Sequence, residues 1–94
     1  MPITRATVNT DNPSLNLKKL CRHFSHKAET QFDDERGEIQ FPFGTVVLDA
    51  QPEELIMQGH SDSEEELERL EGVIASHLVR FASKESLVVE WQRG

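Results

Sequence analysis

The sequence predicts an α+β fold: a two-layer sandwich with two helices on one face of a mainly antiparallel sheet of about six strands, in the order βαββββαβ. Three observations carry that prediction. Two segments repeat apolar residues at i, i+3, i+4 and i+7, the stripe of a helix that buries one side. Six shorter segments alternate apolar and polar residues, the period-two pattern of a half-buried strand. Between them stand turn residues rather than linkers, and 94 residues suffice for one hydrophobic core and not two. Residues 1–94 are therefore expected to form a single domain.

The first strand is expected from Ile3 to Val8, where Ala6 and Val8 oppose Arg5 and Thr7. Asp11-Asn12-Pro13-Ser14 then opens a helix over about residues 12–26, with Asp11 or Asn12 as its cap and Pro13 in its first turn. Its stripe is Leu17, Leu20, Cys21 and Phe24. Lys18, Lys19, Arg22 and His26 fall on the opposite side at 100° per residue, and His23 and Lys27 lie near the boundary.

A hairpin follows, in which Ala28, Thr30 and Phe32 alternate on one arm, Asp34-Glu35-Arg36-Gly37 turns, and Glu38 to Phe41 forms the other arm. Pro42-Phe43-Gly44 breaks the run, Thr45 to Ala50 resumes it, Gln51-Pro52-Glu53 turns again, and Leu55 to His60 completes a four-strand meander. Ser61-Asp62-Ser63-Glu64 offers two overlapping capping boxes, Ser61 with Glu64 and Ser63 with Glu66, for a second helix over about residues 62–82. Leu67, Leu70, Ile74, His77, Leu78 and Phe81 form its stripe. Leu87, Val89 and Trp91 alternate as a final strand. The expected core joins the two stripes to Phe32, Ile39, Phe41, Leu48, Leu55 and Trp91, and the far face of the sheet keeps Val47, Ile56 and Val88 as scattered groups or a dimer contact. The chain is accordingly read as a monomer or homodimer.

Charge narrows the function classes. The net charge of −7 disfavours a nucleic-acid binder, whose affinity rests on Lys and Arg contacts with phosphates. Residues 1–28 nevertheless carry five bases (Arg5, Lys18, Lys19, Arg22 and Lys27) against the single acid Asp11, a net +4, which leaves −11 on the remainder. A basic first helix on an acidic body is a candidate surface for an acidic protein partner, with Lys18, Lys19, Arg22, Lys27 and Arg80 as its binding residues. Lys27 and Arg80 have a second explanation, as cations that complement the negative ends of helices. No apolar run reaches the roughly 20 residues that cross a bilayer, the first five residues do not open a signal peptide, and a lone cysteine fits a reducing compartment, so the expected location is cytoplasmic.

His23 and His26 stand three apart on the first helix, and His77 of the second helix lies at its stripe margin; the three are candidate ligands of a metal, zinc first and iron second. Against that stands a plain polar helix surface for the first two and a neutral, hydrogen-bonded histidine for His77. Cys21 lies at least 140° from both imidazoles around the helix and reads as a small buried hydrophobe. Asp33, Asp34 and Glu35 lack the spacing of a calcium loop and read as a solvated turn. With no phosphate loop, no paired cysteines and no nucleophile elbow, the inventory points to a binding module rather than an enzyme. A histidine-dependent metal-binding or redox accessory enzyme is the alternative.

Leu20 to Lys27, Phe41-Pro42-Phe43-Gly44, Ala75 to Ala82 and the ending Trp91-Gln92-Arg93 together resemble an uncharacterised bacterial family, the domain of unknown function 2218. The resemblance spans nearly the whole chain in order. It implies a short bacterial accessory domain, one that also occurs joined to siderophore-interacting flavin reductases. A flavin-dependent siderophore reductase is thus an implied partner, and iron or siderophore metabolism an implied setting. The family gives none of the matching residues a role, and this chain's acidic run from Asp62 to Glu68 is not part of its pattern.

Overall fold

The computed structural model describes residues 2–94. Its elements are β1 (Ile3–Asn9), α1 (Pro13–Phe24), β2 (Glu29–Phe32), β3 (Arg36–Phe41), β4 (Gly44–Gln51), β5 (Glu54–His60), α2 (Glu64–Phe81) and β6 (Gln92–Arg93). The six strands form one antiparallel sheet in the order β2-β3-β4-β5-β1-β6. Both helices lie on one of its faces, as the two stripes require.

Register shows why that face is the inner one. Ala6 pairs with Met57, Met57 with Leu48, and Leu48 with Gly37, a row that runs across four strands. The next row in the same direction joins Thr4, Gly59, Val46 and Ile39. All eight are buried, while the alternate residues Arg5, Gln58 and Val47 stand exposed on the far face. Leu17, Leu20, Cys21 and Phe24 of α1, with Leu67, Leu70, Ile74 and Leu78 of α2, close the core above these rows.

The two glycines in the rows mark where the helices come down. A Cβ on Gly37 would lie 2.8 Å from Cys21 Sγ and 3.2 Å from Leu17 Cδ2, so α1 rests on that backbone. A Cβ on Gly59 would lie 2.8 Å from Leu70 Cδ2 of α2. Glycine inside a strand commonly marks such close approach. Burial beneath α1 also pushes the Cys21 thiol up to about 12, which keeps it protonated at neutral pH.

Five expectations need correction. The final strand is confined to Gln92–Arg93, which pair with Arg5 and Thr4; Leu87, Val89 and Trp91 pack against the core without joining a ladder. Glu85 explains the detour, because its carboxylate is tied to the loop after β1 and Ser86 reverses the chain in the left-handed region at φ 54°. Phe32 lies on the inner face, opposite Gly37, yet is 38% exposed because β2 is the sheet edge. Phe41, Phe81 and Trp91 are only half-buried, since they rim the helix layer rather than sit beneath it.

The remaining two corrections concern helix starts. Neither Asp11 nor Asn12 caps α1 through its side chain. Instead Glu85 accepts hydrogen bonds from the Thr10 hydroxyl at 2.6 Å, the Asp11 amide at 2.9 Å and the buried Asn16 side chain at 3.2 Å. The Thr10 bond first, then the two amides, hold this carboxyl down at about 2, so it is ionised at neutral pH and serves the start of α1 from a distance. At α2 only the second capping box forms: Ser63 Oγ accepts from the Glu66 amide at 3.2 Å. Ser61 is buried with its hydroxyl against Gly44.

Candidate functional site

The helices run side by side, and their shared margin collects His23, His77, Lys27 and Arg80 from among the basic and imidazole side chains singled out from the sequence. His23 is in the last turn of α1 and His77 is one turn before the end of α2. Their ring centroids are 4.8 Å apart, inclined at 42°. Phe24 meets both rings edge-on, at 4.9 Å from each, and Phe81 lies 5.2 Å from His23 and 6.0 Å from His77. Beneath them Phe24 contacts Phe41 at 5.0 Å, Phe41 stacks on Phe43 at 4.9 Å, and the Arg69 guanidinium covers Phe43 at 4.4 Å. The imidazole pair thus stands at one end of an aromatic row that locks its floor.

Chemistry fixes the state of one ring. His77 Nδ1 lies 2.7 Å from the Val73 carbonyl, which can only accept, so Nδ1 carries a proton and Nε2 is the nitrogen left for another partner. His77 is half-buried and His23 exposed. The pKa of His23 is held below the ordinary histidine value, by desolvation first and then by His77, Lys27, Arg80 and His26. The charges that lower it are all basic. Among the described residues no ion pair joins Lys27 or Arg80 to a carboxylate.

The sequence-derived residues divide into groups. Lys27 and Arg80 act on His23 and belong to the margin. Lys19 and Arg22 are exposed on α1, and neither they nor Lys27 and Arg80 form an ion pair among the described residues. Lys18 instead leaves the group, turning to the β2–β3 turn to meet Asp34 at 2.9 Å. That turn is built by Asp33, whose Oδ1 accepts from the Glu35 and Arg36 amides at 2.8 Å each. His26 lies beyond the last turn of α1 and is exposed. No three His, Cys, Asp or Glu side chains gather as a metal-holding group among the described residues.

Sequence spacing missed Asn16 and Glu85, which line the opposite part of the helix–sheet margin. An amide at the stripe boundary of α1 was the available signal, since a buried Asn requires a partner. The open clefts also lie on that side: one of about 520 Å³ is bordered by Thr10, Asp11, Glu53, Lys84 and Glu85, and another of about 360 Å³ by Thr7, Asn9, Ser86 and Val88. Both are shallow and carry no cluster of reactive groups among the described residues. The chemistry gathers instead at the exposed margin between the helices.

Fold and margin define a two-layer α+β domain with a cationic, imidazole-bearing surface. The chain belongs to the bacterial family described as "Uncharacterized protein conserved in bacteria (DUF2218)", which matches residues 5–92. It is similar to PA4090 from Pseudomonas aeruginosa, known from an NMR structure: the two are 35% identical, the match covers 98% of this chain and 96% of that one, and the TM-score is 0.82. No curated protein matches the chain. None of the described helices is long and apolar enough to cross a membrane.

Proposed function

We propose that this domain is a non-enzymatic bacterial binding module that docks on an acidic protein surface through α1 and the adjoining margin of α2. The observation that carries the reading is the lack, among the described residues, of any ion pair at Lys19, Arg22, Lys27 and Arg80 in a chain with 17 acidic residues. An exposed ion pair contributes only about 0–1 kcal/mol, so leaving these cations free costs the fold little. It leaves a local positive field instead. At physiological salt that field reaches roughly 8 Å, while the molecule extends 33 × 26 × 20 Å, so acids on the far strands do not cancel it. Such a patch raises the rate and selectivity of association with an opposite surface.

The test is capture of partners from a bacterial lysate, with a flavin-dependent siderophore reductase as the first purified candidate. The charge-reversed protein Lys19→Glu, Arg22→Glu, Lys27→Glu is expected to lose partners that the parent releases in high salt. Retention of the same partners by the reversed protein would contradict the reading.

A further inference from the structure

We infer that the interhelical margin contains a discrete oxyanion site, in which His23 and His77 together hold a carboxylate or phosphate group and Lys27 and Arg80 supply the permanent charge. The inference rests on the proposed role of that margin as a recognition surface and names the chemistry at its centre.

Four observations support it. The rings lie 4.8 Å apart, a separation that one two-oxygen group can bridge. His77 is oriented by Val73, which takes the Nδ1 proton, so Nε2 is the nitrogen left for a ligand, and it donates to an oxyanion once the ring is protonated. The floor is apolar, Phe24 with Phe81, which strengthens a charge interaction made above it. The groups that act on His23 from α1 and the turn after it are Lys27 and His26, and those from α2 are His77 and Arg80; β3 contributes the ring of Phe41 below Phe24.

The C-terminal ends of α1 and α2 each carry about half a negative charge, which together offset about one of the two permanent cations and leave the other. A divalent metal would have two imidazoles but would sit beside Lys27 and Arg80, which repel it. An anion meets the opposite situation. It meets Lys27 and Arg80, which have no ion pair among the described residues, and favours the protonated form of the two imidazoles, so binding is coupled to proton uptake and strengthens as pH falls.

The experiment is NMR titration of the histidine ring protons at constant ionic strength, with inorganic phosphate, with succinate and with a short polyglutamate peptide. Near pH 6 the His23 and His77 signals should move saturably, and the affinity should fall about tenfold or more by about pH 8. Saturation by phosphate alone would assign the site to a free oxyanion, and saturation by the peptide alone to a partner's carboxylates; either supports it. His23→Gln and His77→Gln should each weaken binding and flatten its pH dependence, the double variant should remove that dependence, Lys27→Gln and Arg80→Gln should each weaken binding severalfold, and Arg5→Gln on the far sheet face should leave it unchanged. His23 and Arg5 are exposed, so their variants should keep the parent thermal midpoint. Shifts reproduced by chloride, affinity indifferent to His23→Gln and His77→Gln, or zinc bound by this pair in preference to the anions would overturn the site. If the site fails while the charge-reversed protein still loses its partners, the docking surface stands without an oxyanion centre; if both fail, the margin is not a recognition surface.

Discussion

Ile74→Ala is expected to lower the free energy of unfolding by about 2–5 kcal/mol, the range for removing a large aliphatic side chain from a packed core. Ile74 is fully buried at the middle of α2, between Leu70 and Leu78, which are equally buried. Alanine is the better helix former by less than about 0.7 kcal/mol, too little to offset the lost packing. Both ends of α2 are independently secured, by the Ser63 cap and three first-turn glutamates at one end and by Arg80 in the last turn at the other, so the helix should persist and the loss should come from the cavity. Urea unfolding measures it, with a shifted midpoint and an unchanged slope. A loss under about 1 kcal/mol would mean that α2 does not sit on the sheet at this residue.

Gly37→Ala is the second large effect, about 1–3 kcal/mol of destabilisation from overpacking. The added methyl would lie 2.8 Å from Cys21 Sγ, well inside van der Waals contact, and the sulfur has no room to move because Cys21 is itself fully buried. Cys21→Ala alone should also destabilise, by opening a cavity. Together the two changes should cost less than their sum by about 1 kcal/mol or more, since the methyl added at Gly37 enters the space the sulfur leaves. Strict additivity in a double-mutant cycle would show that the α1–β3 contact is looser than described.

These two sites also mark what the sequence could and could not convey. The stripes of α1 and α2 follow from local spacing, because a 3.6-residue period has to be buried on one side. Pro42-Phe43 and Pro52-Glu53 were legible as turns for a related reason: proline ends a ladder wherever it occurs, and each pair links two paired strands. Gly37 and Gly59 were not read as helix contacts, since that role depends on which strand lies beneath which helix. The last strand misled because Leu87, Val89 and Trp91 do alternate, yet alternation reports a buried side and not a hydrogen-bonded neighbour. Phe32 carried the right face and the wrong depth, an outcome decided by its place on the outermost strand.

The site was legible in its parts only. Boundary positions on two stripes identified His23 and His77 as residues able to meet, but the 4.8 Å separation is a tertiary fact. The three-residue spacing of His23 and His26 was less informative than it looked, because α1 ends at Phe24 and the second imidazole belongs to the turn beyond it. Likewise Lys18, one residue from Lys19, pairs with Asp34 of the β2–β3 turn. Net charge along the sequence found the basic segment; only the fold shows which of its cations remain unpaired.

The claim that the interhelical margin is the recognition surface is tested most directly by mapping amide shifts of the labelled protein as an acidic peptide is added. That claim predicts changes concentrated at Lys19, Arg22, His23 and Lys27 of α1 and its following turn and at His77 and Arg80 of α2, diminishing as salt rises. Changes centred instead on the far sheet face, around Val47, Ile56 and Gln58, would contradict it.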